Sequence, residues 1–373
     1  MATKQEILGQ YFTDINVVRI LLNHLFQYKK YNKDIQILEP SAGSRNFVNV
    51  LLENGFNNIS ECELDPDLTK NPQDFFLFDI KNKYDLIVGN PPFTKFNVPD
   101  SYFYANKYDV FLTNSFLDQK SIKKNRIKIE NAFILKCIQQ LKNQTSSIAF
   151  VLPISFFVKG KNNEIKNELL KKFENIIIYQ DDKSWFDRDI PCCFVIFTNG
   201  IENLKRKILL IYEDKNKRSE DIIDIDRVFE ELIPKTFFNK KEFNNKEGIK
   251  LEDYLDKKNI LKYNKSFSEC DIRASNILNF KTIEDGGNIE DYKIFITRVG
   301  NSSVGKCGLV NIKKHIFNDM FFALDFLDEY KNNKEIKEMI CKKINENQDY
   351  FKSITHRVGS KSIKKDDIFN MII

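Results

Sequence analysis

The sequence predicts an α/β protein: a parallel or mixed sheet with helices on both faces, followed by a smaller α+β region. Three observations carry this. Short apolar strand patterns alternate with amphipathic helical patterns through the first 200 positions, the signature of a sheet covered on both sides. Several of those strands end in polar or small residues that suit chemistry better than plain turns. A second apolar pattern then starts near Ile260, after a charged stretch.

In order along the chain, VVRILLNHLF (17–26) has helical apolar spacing, IQILEP (35–40) reads as a strand, and FVNVLLENG (47–55) as a helix stopped by Gly55. ISECELDP, YDLIVGNPP, SIAFVLP, NIIIYQ and CCFVIFTNG follow as short strands. IENAFILKCIQQLKN and EIKNELLKKFE are the helices between them. From 201 the chain turns charged and weakly periodic, so 1–200 is expected as one domain, 201–250 as a connecting segment and 251–373 as a second domain. In that last part TRVGNSS (297–303) and HRVGSKS (356–362) echo one another.

Composition sets bounds. The 373 residues are 42 % hydrophobic and 30 % charged, with room for two cores. A net charge of +5 is mild, so any contact with nucleic acid has to come from local patches. No run is long and apolar enough to span a bilayer, and the N-terminus lacks a signal layout, so an intracellular protein with no membrane association is expected. The seven cysteines lack CxxC spacing and the three histidines are scattered; neither a disulfide framework nor a metal site is indicated.

Four strand ends carry the chemistry. In ILEPSAG (37–43) an acid, a proline and small residues lead into a helix, a turn that lets a ligand approach the backbone. About twenty residues on, Glu63 in CELDP is placed to accept from two ribose hydroxyls. In QDFFLFD, Asp74 can accept from an adenine amine with Phe75 over the ring, although Phe75 equally suits the core. In DLIVGNPPF, an apolar strand runs into Asn90, Pro91, Pro92 and Phe93, where prolines forbid ladder pairing and hold the backbone still.

Together, in this order, these motifs resemble S-adenosylmethionine-dependent DNA adenine-N6 methyltransferases of restriction–modification systems, with the cofactor motif first. GQYFTDINVVRILLNHL resembles the segment preceding that motif, and WFDRDIPCCFVIF the last sheet segment. The resemblance spans most of residues 5–200. It implies a Rossmann-like methyltransferase sheet, S-adenosylmethionine held by Tyr11, Thr13, Glu39, Ser41, Gly43, Glu63, Asp74 and Phe75, and catalysis at Asn90, Pro91, Pro92 and Phe93. Phe93 and Phe186 would stack on the flipped target base, with Trp185 as the rival to Phe186. The chain departs from the family at Arg45, where a second glycine is usual, and at Asp14, where proline is common. Arg45 opens an alternative reading, a catalytically inactive DNA-binding subunit.

The corner has a chemical logic. An exocyclic amine conjugated to a purine is a poor nucleophile; if the Asn90 side-chain oxygen and the Pro91 carbonyl each accept one N–H, the nitrogen pyramidalises and its lone pair turns toward the methyl donor. Residues 94–129 interleave aromatics with basic residues and end in a basic cluster at Lys123, Lys124, Arg126 and Lys128, suited to phosphate contact and base stacking. The last 120 or so residues resemble target-recognition domains, with Arg298, Asn301, Lys306, Arg357 and Lys361 as candidate DNA contacts. The expected protein is a monomeric, stand-alone modification enzyme acting on duplex DNA, with any restriction endonuclease encoded separately. RNA and protein-glutamine methyltransferases share the corner and remain alternatives.

Overall fold

The computed structural model describes residues 8–78, 81–93, 95–96, 127–157, 163–187, 190–215, 217–225, 232–244, 247–261, 270–284, 286–355 and 362–373. The chain divides into two compact units, Met1–Pro234 and Lys235–Ile373.

The first unit is built on an eight-stranded mixed sheet. Its strands are β1 (Ile37–Glu39), β2 (Ile59–Glu61), β3 (Leu86–Gly89), β6 (Ser147–Pro153), β7 (Asn175–Asp181), β8 (Cys192–Thr198), β9 (Lys207–Glu213) and β10 (Arg218–Asp224); β4 (Lys95–Phe96) and β5 (Ile127–Lys128) pair separately. The order is β10-β9-β7-β8-β6-β3-β1-β2. Strands β2, β1, β3 and β6 run parallel, and β8 lies antiparallel between β6 and β7. In register, Ile87 pairs with Leu38 on one neighbour and with Ile148 on the other.

Alternate residues of the sheet face opposite sides. Leu86, Val88, Ala149, Val151 and Ile177 pack with Val18, Leu21 and Leu22 of helix α1 (Ile15–Tyr28) and with Phe47, Val50 and Leu51 of α2 (Asn46–Glu53). The intervening Ile87, Ile148 and Phe150 are fully buried on the other side. Helix α3 (Ile129–Gln139), buried at every position from 130 to 137, packs on β6, and α4 (Asn163–Lys172) packs on α3. Asp14, where the family often has proline, caps α1 by accepting from the amides of Asn16 and Val17. An N-cap carboxylate starts a helix as well as a proline does.

The segment 201–250 is not only a connection. β9 enters the sheet parallel to β7 and β10 adds an antiparallel edge. The strong signal ILLIY in β9 is flanked by charges, and β10, wetted on alternate residues, carries almost no apolar pattern. The second unit holds a four-stranded antiparallel sheet, β11 (Leu255–Ile260), β14 (Phe321–Phe326), β12 (Tyr292–Thr297) and β13 (Cys307–Asn311), in that spatial order. Helix Lys334–Glu346 packs on β13. Its core includes a buried ion pair, Lys293 to Asp325 at 2.7 Å. Val299 bridges to Ser362, and the Ile363 amide donates to the Arg298 carbonyl. Among the described residues no helix is long and apolar enough to cross a membrane, and no His, Cys, Asp and Glu cluster could hold a metal.

Candidate active site

The carboxyl ends of β1, β2 and β3 converge on a cavity of about 330 Å³. It lies where the strand order turns back on itself, β2 to one side of β1 and β3 to the other, which is where α/β sheets open a crevice. Residues 8–13 form one wall as a strap that leaves a turn at Gly9 and has no regular structure from 10 to 13. The strap is fastened at several points. The Gly9 carbonyl accepts the Phe93 amide at 3.1 Å, Gln10 Nε2 donates to Asp65 at 3.1 Å, and the Thr13 carbonyl accepts from Asn46 Nδ2 at 2.8 Å. Phe12 closes on Gly43, where a Cβ would stand 3.0 Å from its ring and φ is +51°. Glycine is required there on both counts.

Asn90 is held with its amide in one sense. Its Nδ2 donates to the Tyr11 carbonyl at 2.6 Å and to Thr13 Oγ1 at 3.1 Å. A carbonyl can only accept, so the nitrogen must be on that side. Oδ1 is then buried with no partner. Leaving a buried acceptor unpaired costs about 1–3 kcal/mol, which marks it as a group kept for something that comes and goes. On the other side of the corner the Ser41 hydroxyl donates to the Asn90 backbone carbonyl at 3.1 Å.

The acidic residues divide into two environments. The Glu63 carboxylate accepts the Gly43 amide at 2.6 Å and the Asp65 amide at 2.8 Å, and it faces the cavity with lone pairs to spare. Asp74, also on the wall, caps the short 3₁₀ turn Phe75–Leu77 by accepting from the Phe76 amide. Phe75 is both cavity wall and core: its ring centroid is 4.8 Å from Phe133 and 5.0 Å from the Lys136 ammonium. Lys136 in turn donates to the carbonyls of Phe75 and Phe78, fixing this turn from inside.

Glu39, expected at the cofactor, does not line the cavity. It is 1 % exposed and lies beneath Gly89, where a Cβ would come within 2.1 Å of its carboxyl. Oε1 accepts the Ser41 amide at 3.0 Å, while Oε2 has no partner. Burial pushes this carboxyl up to about 8; the Ser41 hydrogen bonds pull it down, and the charges of Glu63 and Glu61 add to the rise.

Pro91 is buried, and Pro92 and Phe93 are half-buried, with Pro92 on the cavity wall. The Phe93 ring stacks on Tyr11 (centroids 6.0 Å, 26°) and meets Phe186 edge-on at 6.2 Å and 83°. Trp185 is occupied elsewhere: its indole N–H donates to Asp181 at 2.6 Å and its ring stacks on Tyr179. Phe186, not its neighbour, therefore joins Phe93, although at 7 % exposure it is mostly core.

Arg45 keeps the backbone of the missing glycine, with φ +62°, at the start of α2. Its guanidinium turns away from the cavity to pair with Glu61 at 2.7 Å. Replacing Arg45 by Gly is accordingly expected to leave S-adenosylhomocysteine affinity within about 0.5 kcal/mol, roughly twofold in Kd. Calorimetric titration of both proteins checks this; a tenfold gain for the variant would show that the arginine obstructs binding.

The strap residue Gln10, Leu64 and Phe133 also line the cavity and were not legible as site residues. Leu64 had a signal, a large apolar side chain, 53 % exposed, beside Glu63. Phe133 reads only as the apolar face of a helix. In the second unit Arg298 faces Asp319 at 3.4 Å and lies over the Phe322 ring, Asn301 is in the exposed turn after Val299, and Lys306 begins the approach to β13. Lys123, Lys124, Arg126, Arg357 and Lys361 lie outside the described residues.

The sheet order, the crevice at its switch point and the Asn-Pro-Pro-Phe corner beside it define a methyltransferase-like α/β domain. Residues 11–186 match the Eco57I restriction-modification methylase family. The chain is similar to the type II methyltransferase M.HincII of Haemophilus influenzae, 28 % identical over 239 residues, covering 59 % of this chain and 43 % of that one. It is also similar to M.AccI of Acinetobacter calcoaceticus, 24 % identical over 280 residues, covering 68 % and 48 %. The chain thus spans less than half the length of these curated relatives. The crystal structure of the type IIG restriction endonuclease BpuSI shares its fold, with a TM-score of 0.55 at 13 % identity over 97 % of this chain and 58 % of that one.

Proposed function

We propose that this chain is the catalytic part of a restriction–modification DNA methyltransferase that moves a methyl group from S-adenosylmethionine to the N6 amine of an adenine flipped out of the duplex. The observation that carries the reading is Asn90, whose amide is clamped so that its oxygen is left buried and unpaired at the end of β3. Such an oxygen suits an N–H donor, and a flipped base brings one. The names of the similar proteins, type II methyltransferases, favour DNA as the acceptor.

The cavity residues fit the cofactor. Glu63 can accept from two ribose hydroxyls without giving up its hold on the Gly43 loop, and Asp74 can accept from the adenine amine beside the Phe75 ring. When bound, S-adenosylmethionine supplies an activated methyl group on a sulfonium. The chain supplies orientation: Asn90 Oδ1 and the Pro91 carbonyl draw the two amine hydrogens out of the ring plane, and the adjacent prolines keep those acceptors from recoiling. Phe93 offers the base a face to stack on, which offsets part of the unstacking cost of flipping. No general base is needed before transfer, because the amine becomes acidic only after it has been alkylated. Arg45, the feature that favoured an inactive subunit, pairs with Glu61 outside the cavity.

Titration with S-adenosylhomocysteine followed by transfer of labelled methyl to duplex DNA, RNA and glutamine peptides tests this. Binding together with N6-methyladenine in digested DNA is the expected result. Transfer to RNA or peptide alone would reassign the substrate, and N4-methylcytosine would reassign the base. No cofactor binding at all would refute the reading.

A further inference from the structure

The resemblance assigns Tyr11 to the methionine end of the cofactor. Tyr11 does line the cavity, but the geometry gives it a second role, and we propose that Tyr11 is the positioning residue of the methyl acceptor, holding both the amide and the aromatic ring of the corner. This rests on the function proposed above and deepens it.

Two contacts from one residue carry the inference. The Tyr11 backbone carbonyl receives Asn90 Nδ2 at 2.6 Å, the shorter of the two bonds that fix the amide. The Tyr11 side chain lies stacked behind Phe93 at 6.0 Å and also touches Phe186 at 6.2 Å. The three rings thus form a closed triangle, with Phe93 edge-on to Phe186. Tyr11 comes from a strap, not from the sheet that carries Asn90, so nothing covalent keeps its carbonyl in range. The ring packing does this, with help from the Gly9 carbonyl on the Phe93 amide and from Thr13 on Asn90. These fastenings join the strap to the corner, while Gln10 on Asp65 and Asn46 on the Thr13 carbonyl hold the strap elsewhere. A hydrogen bond from a backbone carbonyl is only as well aimed as the backbone is fixed, and misplacing a reacting group by about 1 Å can cost about 10²-fold in rate.

If the Tyr11 ring is lost, the strap keeps its carbonyl but loses its register on Phe93. Asn90 can then turn its amide over, presenting a donor to an amine that needs an acceptor, and Phe93 loses the surface behind it. Substrate binding through the rest of the cavity and the DNA contacts is untouched. The effect belongs in kcat. The Tyr11 hydroxyl takes no part, so a phenylalanine should serve equally well.

The test compares Tyr11→Phe, Tyr11→Leu and Thr13→Val with the wild type in three readouts: S-adenosylhomocysteine Kd, kcat and KM on DNA, and fluorescence of 2-aminopurine at the target position. Tyr11→Phe should match the wild type. Tyr11→Leu should lose about 10²-fold in kcat, with Kd and KM within about threefold, and should change the 2-aminopurine signal because the ring stacked on the base has lost its support. Thr13→Val, which removes one acceptor and keeps the shape, should lower kcat by roughly tenfold, the worth of one hydrogen bond. The proposal is overturned if Tyr11→Leu weakens S-adenosylhomocysteine tenfold or more while kcat holds, or if Tyr11→Phe is as impaired as Tyr11→Leu. A wild type that neither binds the cofactor product nor methylates any acceptor would overturn the function first, and is seen before any variant is made.

Discussion

Asn90→Ala is expected to lose about 10²–10³-fold in kcat, the size seen when one preorganised electrostatic contact is removed from a transition state. S-Adenosylhomocysteine affinity should stay near that of the wild type, because the cofactor contacts proposed above run through Glu63, Asp74 and Phe75 rather than through the Asn90 amide. The variant also frees the Tyr11 carbonyl from its hydrogen bond, at about 1 kcal/mol of stability. Asn90→Asp makes the test sharper. An aspartate still offers an oxygen to the amine, but it can no longer donate to the Tyr11 carbonyl or to Thr13, and a carboxylate oxygen facing a carbonyl oxygen repels it. It should therefore fall between the wild type and Asn90→Ala if acceptor position matters, and equal the wild type if only an acceptor is required. Single-turnover methyl transfer at saturating cofactor and DNA measures all three. An Asn90→Ala protein that methylates at the wild-type rate would remove the corner from the mechanism.

The catalytic fold was largely legible because its strands are short, apolar and bounded by turn residues, while its helices keep one wet face. SIAFVLP and CCFVIFTNG, buried at every strand position, could only be interior strands. What the pattern could not give was the edge. β10 has water on alternate residues of a strand paired on one side only, so selection for an apolar face is weak and charges take over. The site divides in the same way. Residues whose place depends on a local motif, such as Glu63 after β2 and Asn90 after β3, both on the cavity wall, can be located from spacing. Residues whose role depends on what lies across the fold cannot: nothing near Tyr11 in sequence reveals that Phe93 stacks on it, and nothing near Phe133 reveals Phe75. Of Phe186 and Trp185, only Phe186 meets Phe93, because Asp181, four residues upstream of Trp185, takes the indole N–H.

Glu39 shows the reverse case, an acid whose position in a strand-end motif suggests a ligand but whose surroundings are protein. Its expected consequence is a pH-dependent stability that Glu39→Gln abolishes. Burial lifts the folded-state carboxyl to about 8 from an ordinary value of 4.5, with Glu63 and Glu61 nearby raising it further and only the Ser41 hydrogen bonds opposing. Between those two values the folded chain holds a proton that the unfolded chain has released. The stability it confers is complete below about 4.5, falls as pH rises, and is gone above about 8, a total on the order of 5 kcal/mol. Other groups titrate in the same range, so the informative quantity is the difference between the two proteins. Glutamine cannot ionise, but its buried Nε2 would stand where Oε2 now has no partner, at a cost of about 1–3 kcal/mol at every pH. The variant should therefore be the less stable protein at pH 5 and the more stable one at pH 9, with urea midpoints that cross in between. Parallel profiles would mean that Glu39 is already ionised near neutrality, stabilised by a cation or water beneath Gly89. Aspartate at this position is not a substitute: its shorter arm cannot reach both the space under Gly89 and the Ser41 amide, so it should lose the support that Ser41 gives the Asn90 carbonyl as well.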